Sequence, residues 1–361
     1  MYKAFVIKRR NYYMEKYKKV KREKVIEMDM LRAICAIAVV IIHTSGYTLI
    51  NSVKGSTSYN VSLSLNQITR FSVPLFLFLS GLGLGISYKR DESYFKFIKK
   101  RVFKIIPPYI LWGSLYLILI QKNYDYRNWG ELFLKGDKVF YHLYYIPLIM
   151  TLYIIFPIFY PLFKRIEGVI FCLLISLGAT YFGHYYNIPD LTLDIFSKRN
   201  AIFWNVYFVS GVYISRKVNN LIRRTKTHKV KIMIILIICV ICLIGESFIG
   251  LKSGKSLDYS TTFIRPSIMI YSYIVMLYVF SKSYRKSIGV KILREISKSS
   301  FSIYLIHPMV LYYYMKIFSK NNLNMGTLWF LVSSILVSAG IPYLMWNIKY
   351  KFDKLSYVSN E

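Results

Sequence analysis

Apolar runs about twenty residues long recur along almost the whole chain, and that recurrence constrains its fold more than any single motif. A bilayer hydrocarbon core is roughly 30 Å thick, and a helix needs about 20 apolar residues to cross it. Such runs begin near Leu31, Phe71, Ile105, His142, Val169, Ile202, Ile232, Phe263, Phe301 and Leu328. With 55% of its residues hydrophobic, the chain is predicted to be an all-α, polytopic membrane bundle of about ten transmembrane helices.

Charge then sets the topology. Lys and Arg number 49 against 17 Asp and Glu, a net charge of +32. An excess of that size also suits a nucleic-acid binder, but its distribution argues otherwise. Basic clusters fall on alternate connections, from "KKVKREK" before the first span to "KYKFDK" after the tenth, as the positive-inside rule requires. The intervening connections, such as "QKNYDYRNWGELFLKGDK" and "GHYYNIPDLTLDIFSKRN", mix both signs. Both termini are therefore expected in the cytoplasm, with the bilayer and its anionic headgroups as partners and no nucleic acid. The organisation expected is a basic cytoplasmic arm over 1–28, a membrane domain over 29–348 and a cytoplasmic tail over 349–361. Met14 is an alternative start, and no cleavable signal peptide is visible. Cys35, Cys172, Cys239 and Cys242 all fall inside spans, and neither a disulfide nor a metal site is expected.

Ionisable side chains inside spans are costly and usually face a bundle interior or a hydrated cavity. His43 lies eleven residues beyond Arg32, roughly 16 Å higher at the helical rise. His307 sits about ten residues above Ser297 on another span that leaves the same side, so both imidazoles reach a similar depth. A neutral imidazole near pH 7 suits a general base, and the two histidines are candidate catalytic groups. Pro308 marks a helix distortion that gives His307 a structural alternative. His142, beside Tyr144 and Tyr145, reads as a supporting polar group or as part of an interfacial aromatic belt. His184 and His228 fall in connections and read as solvated.

Arg32 is either a snorkelling arginine or a clamp for phosphate, with Asp29 one turn earlier to orient it. Arg101 and Lys104 share a helix face at the start of span three, and positive-inside anchoring accounts for them equally well. Ser80 and Gly81 permit close helix approach in span two. Arg265, before Pro266, is placed either to touch an extracytoplasmic acceptor or to cap the interface.

Taken in order, these residues resemble the acyltransferase-3 family of integral membrane acyltransferases, in particular bacterial members that O-acetylate surface polysaccharides. The family's first span carries a basic residue, ten positions and a histidine, matched by Arg32 and His43. Its phenylalanine-rich segment ending in Ser-Gly is matched by "PLFLFLSG", with Phe76, Phe78, Ser80 and Gly81. An Arg-x-x-Arg is represented by Arg101 and Lys104, which keeps the charge and loses one bidentate fork. "HLYYIP" and "SIYLIHP" resemble two further blocks, with Tyr144 in place of tryptophan.

The resemblance implies a multi-pass enzyme of the bacterial plasma membrane, transferring an acyl group other than an amino-acyl group. Cytoplasmic acyl-CoA, most simply acetyl-CoA, would be the donor substrate, with no bound cofactor. Its phosphates would rest on Arg32, Arg101 and Lys104, and His43 would act as base on a hydroxyl of a surface glycan. A separate extracytoplasmic partner protein would complete the transfer if the membrane domain does not act alone. The competing expectation is a transporter or flippase for an exopolysaccharide or lipid-linked glycan, for which broken spans and midplane charges on several helices are the mark.

Overall fold

The computed structural model describes residues 25–185 and 200–358. Residues 1–24 of the expected basic arm, with Met14, lie outside the described residues, as do most of the connection 183–200 and the last three residues of the tail. Every regular element among the described residues is helical. The long helices are α1 (Ile26–Asn51), α2 (Thr57–Ile68), α3 (Ser72–Ser87), α4 (Tyr94–Leu115), α5 (Trp129–Lys135), α6 (Tyr145–Phe163) and α7 (Ile166–Tyr185). They continue with α8 (Ala201–Ile214), α9 (Val218–Thr227), α10 (Lys229–Lys252), α11 (Leu257–Thr261), α12 (Pro266–Ser281), α13 (Ile288–Lys320) and α14 (Leu328–Val358).

Among the described residues, eight helical stretches are long and apolar enough to cross a membrane. The two remaining expected spans, near Ile202 and Phe301, fall on α8 and α13. Helix α8 has 14 residues, about 21 Å at the helical rise, and most of its side chains are buried. Helix α13 is long but carries serines, tyrosines, His307 and Pro308 through its middle. Those polar groups dilute its apolar character because the helix faces protein rather than lipid.

The bundle forms around α1, which packs against α2, α3, α13 and α14. Apolar residues on the outside, such as Ile234, Ile238 and Ile241 of α10, are exposed and meet lipid tails. Helix starts are closed by short side chains: Ser56, Asn200, Ser256 and Ser287 each accept from a backbone N–H in the first turn. At the end away from the basic clusters, Ser52 Oγ donates to the Gly326 carbonyl at 3.0 Å and ties α1 to the α13–α14 connection.

Helices α3 and α8 run almost backbone to backbone. A Cβ on Gly81 would fall 1.9 Å from the Phe208 carbonyl oxygen, and one on Gly211 would fall 2.2 Å from the Phe78 carbonyl oxygen. Without a hydrophobic drive between helices in lipid, such close approach is what holds them together. The Ser-Gly step of span two is therefore a packing device. It also turns Phe78 fully inward, where its ring meets Phe280 at 6.4 Å.

Replacing Gly81 or Gly211 with valine is expected to push these helices apart at a cost of about 1–3 kcal/mol or more. Thermal unfolding of the detergent-solubilised protein should shift down for both. Gly178→Ala, where an added Cβ meets nothing within 4 Å, should leave the transition unmoved.

Candidate active site

Pro308 determines the chemistry of the centre. Proline has no N–H, so the Tyr304 carbonyl four residues earlier loses its helical donor. His307 supplies a replacement: its Nδ1 lies 2.8 Å from the Ile303 carbonyl oxygen and 3.0 Å from that of Tyr304. Both neighbours are acceptors, so Nδ1 carries the proton and Nε2 presents a lone pair. His307 is fully buried, and its Nε2 has no hydrogen-bond partner. The next rung is stitched from another helix. Tyr116 Oη donates to the Leu305 carbonyl at 2.9 Å and accepts from the Met309 N–H at 3.0 Å. Helix α13 consequently stays continuous through its proline.

Two further imidazoles meet this one. The ring centroids of His43 and His307 are 5.3 Å apart, so the expectation of matching depth holds. His142 stands 5.5 Å from His307 and 5.4 Å from Tyr116, and is buried. It is therefore not part of an aromatic belt at the interface. The turn before α6 folds inward, and Tyr304 Oη secures it by donating to the His142 carbonyl at 2.6 Å. Tyr141 completes the cluster, 4.7 Å from the His43 ring. No group of three His, Cys, Asp or Glu among the described residues is arranged to hold a metal ion.

A cavity of about 670 Å³ runs from the basic end toward this cluster. Arg32, Lys100, Arg101, Lys104 and Lys298 surround its mouth, while Phe76, Ser80, Tyr145, Tyr153 and Tyr304 line its interior. None of the three histidines is among its lining residues, but Tyr304, which is, meets the His142 ring at 5.2 Å between centroids. Arg32 Nη1 donates to Asp29 Oδ1 at 3.3 Å and reaches Ser297 Oγ at 3.5 Å. Ser297 in turn donates to Asp29 at 3.2 Å, and this serine was not anticipated. Arg101 lies over the Phe97 ring at 4.0 Å and donates to the Phe97 carbonyl. Lys100 is held by Glu92. Ser80 Oγ donates to the Phe76 carbonyl at 2.9 Å, and the Phe76 ring lies 6.4 Å from Tyr145.

Several expectations need correction. Arg265 neither caps the interface nor reaches outward: it is 3% exposed. It donates to Gln67, to Ser247 at 3.3 Å and to the Ser260 carbonyl at 3.4 Å, with Glu246 at 3.5 Å. His184 is buried rather than solvated and stacks on Tyr259 at 4.4 Å; His228 is exposed as expected. Tyr144 stacks on Phe263 at 6.4 Å inside the bundle. Sequence reading passed over Asn66 and Arg70, although an Asn-Gln-x-x-Arg string at the head of an apolar run is itself a signal. Tyr116 and Tyr141 gave none, since tyrosines are spread throughout the chain.

The sequence model of a family described as "Acyltransferase domain" matches residues 25–347. Among curated proteins, the chain is 28% identical over 334 residues to a "Probable poly-beta-1,6-N-acetyl-D-glucosamine export protein" of Staphylococcus aureus, covering 88% of this chain and 90% of that one. A protein of the same description from Staphylococcus epidermidis is 24% identical over 333 residues, covering 88% and 89%. No solved structure matches the chain.

Tyr116→Phe removes the hydroxyl that bridges the Leu305 carbonyl and the Met309 N–H, losing both hydrogen bonds. A loss of about 1–3 kcal/mol is expected, measurable as a lower unfolding temperature in detergent. The helix should also loosen, with faster amide exchange around Leu305–Met309.

Proposed function

The chain belongs to the acyltransferase family matched over residues 25–347, and from that premise we propose that it is a membrane O-acyltransferase acting on a surface glycan. The donor is cytoplasmic acyl-CoA, with acetyl-CoA the simplest. The observation that carries the reading is the cation-rimmed cavity lined by Tyr304, beside which the three histidines cluster. A negatively charged donor suits such a mouth, since clustered charge draws in and orients an opposite one. Arg32, pre-positioned by Asp29 and Ser297, offers a fork for a phosphate. Arg101 and Lys104 contribute charge across the opening, and the aromatic interior accommodates the pantetheine arm.

The acyl carbonyl then reaches Tyr304 and the histidines beside it. His43 takes the proton of the incoming hydroxyl as that oxygen bonds to the carbonyl carbon. His307, with Nδ1 committed to backbone carbonyls, turns its Nε2 lone pair inward beside it. Imidazoles are suited to proton transfer, a contribution of about 10²–10⁴ in rate. The printed description of the staphylococcal relatives supports an amino-sugar polymer as the acceptor class. A completing partner protein on the far side remains compatible with this scheme.

The same description supports a second reading, export of such a polymer. A conveyor for a polymer needs polar groups along a continuous path, whereas in this chain the outer half is tied by the Asn66–Gln67–Arg265 network. That arrangement favours the enzyme.

His43→Ala in the lipid-reconstituted protein should lower acetyl transfer from acetyl-CoA to β-1,6-linked N-acetylglucosamine oligomers by about 10²-fold or more. Insertion and melting should be unaffected. Undiminished transfer would remove the histidine from the mechanism, and polymer translocation without any acyl transfer would favour the exporter. Arg101→Ala should instead raise the KM for acetyl-CoA with little change in kcat. Added salt should reproduce that rise in the parent protein, because the exposed charges at the mouth are screened over about 8–10 Å.

A further inference from the structure

Arg70 is a charged side chain that the donor cradle does not use. It sits in the single 3-10 turn Thr69–Phe71 between α2 and α3. The turn leads directly into α3, whose Val73, Phe76 and Ser80 line the cavity.

Its position is fixed from α1. Asn66 Nδ2 donates to the Ile42 carbonyl at 2.9 Å and to Ser45 Oγ at 3.3 Å. Asn66 Oδ1 accepts from Arg70 Nη2 at 2.7 Å. One amide therefore links the guanidinium to the turn of α1 that carries His43. The remaining donors are not consumed. Arg70 Nε is buried without a partner, and no carboxylate pairs with this arginine among the described residues. Arg265, by contrast, is taken up by Gln67, Ser247, Ser260 and Glu246.

A guanidinium cannot shed its proton, and even a half-buried charge within the membrane domain is costly without a counter-ion. The chain thus holds a positive charge beside the histidines and supplies no anion for it. Acyl transfer creates one there. When the acceptor hydroxyl oxygen bonds to the thioester carbonyl carbon, its proton passes to the His43 imidazole and the carbonyl π pair moves onto oxygen. Collapse of that intermediate restores the C=O bond and breaks C–S, and the CoA thiolate leaves with the proton returned by the imidazolium. We propose that Arg70 is the catalytic residue that receives the oxyanion of this intermediate. This assignment rests on the acyltransferase reading above.

The test uses the full chain in lipid nanodiscs, with acetyl-CoA and β-1,6-linked N-acetylglucosamine oligomers as substrates. Arg70→Gln keeps an amide donor for Asn66 and loses the charge. A fall in kcat of about 10²–10³-fold, with both KM values held, is the expected result. Arg70→Lys, which keeps the charge without the fork, should recover part of that loss at an unchanged melting temperature. A raised acceptor KM with kcat preserved would mean that Arg70 binds an anion carried by the acceptor, and would overturn the assignment. Full activity in Arg70→Gln would overturn it too. If Arg70→Gln fails to fold, Arg70→Lys decides alone, since a reduced kcat at constant KM supports the assignment and wild-type kinetics refute it. A parent protein with no acetyl transfer at all would sink the acyltransferase reading itself, a result distinct from an active parent with an indifferent Arg70.

Discussion

A backbone carbonyl that loses its helical donor inside a bilayer has no water to turn to, and the centre of this protein is organised around that constraint. Pro308 removes one N–H from α13. The vacancy is filled by the His307 ring, and the rung above it by the Tyr116 hydroxyl. The first substitution fixes the imidazole tautomer, and the second fixes where α4 crosses α13. A helix defect thus becomes the element that aims a basic nitrogen. The same requirement draws in the His142 turn, whose carbonyl is satisfied by Tyr304. His307 and the His142 turn meet beside the proline, the first through its ring and the second through its carbonyl.

Much of the fold could be read from the chain because the membrane limits the vocabulary. Ten apolar runs became helices, and the depth of His43 relative to Arg32 carried over into three dimensions since a helix has a fixed rise. What could not be read depended on which way short segments turn. The residues before α6 form turns rather than helix, so the periodicity that placed His43 had no purchase on His142, which turns inward. Tyr116 is one of 34 tyrosines, and only its placement opposite Pro308 distinguishes it. Arg265 was misjudged for a related reason: its partners Gln67, Ser247 and Ser260 lie on three different helices, one of them 198 residues away. The glycines of span two were legible as close-packing residues, while their partner helix α8 was not.

The molecule distributes positive charge in two different regimes. At the basic end Arg32, Lys100, Arg101 and Lys104 sit at a cavity mouth where water and salt reach them. Each such charge contributes little alone and is screened, so several are needed to hold a polyanion. They cost little to maintain for the same reason. Arg70 stands inside the bundle, half-buried and paired with no carboxylate among the described residues. Its cost is correspondingly larger, and the fold meets it with a tether, the Asn66 bridge to the Ile42 carbonyl. Many weak charges suit capture of a donor that must later leave; one strong, immobile charge suits a negative charge that exists only in passing. An electrostatic contribution of that second kind requires no reorganisation at the moment of reaction, and the Asn66 amide bonds to the α1 backbone beside His43 give Arg70 the fixed support that such a contribution needs.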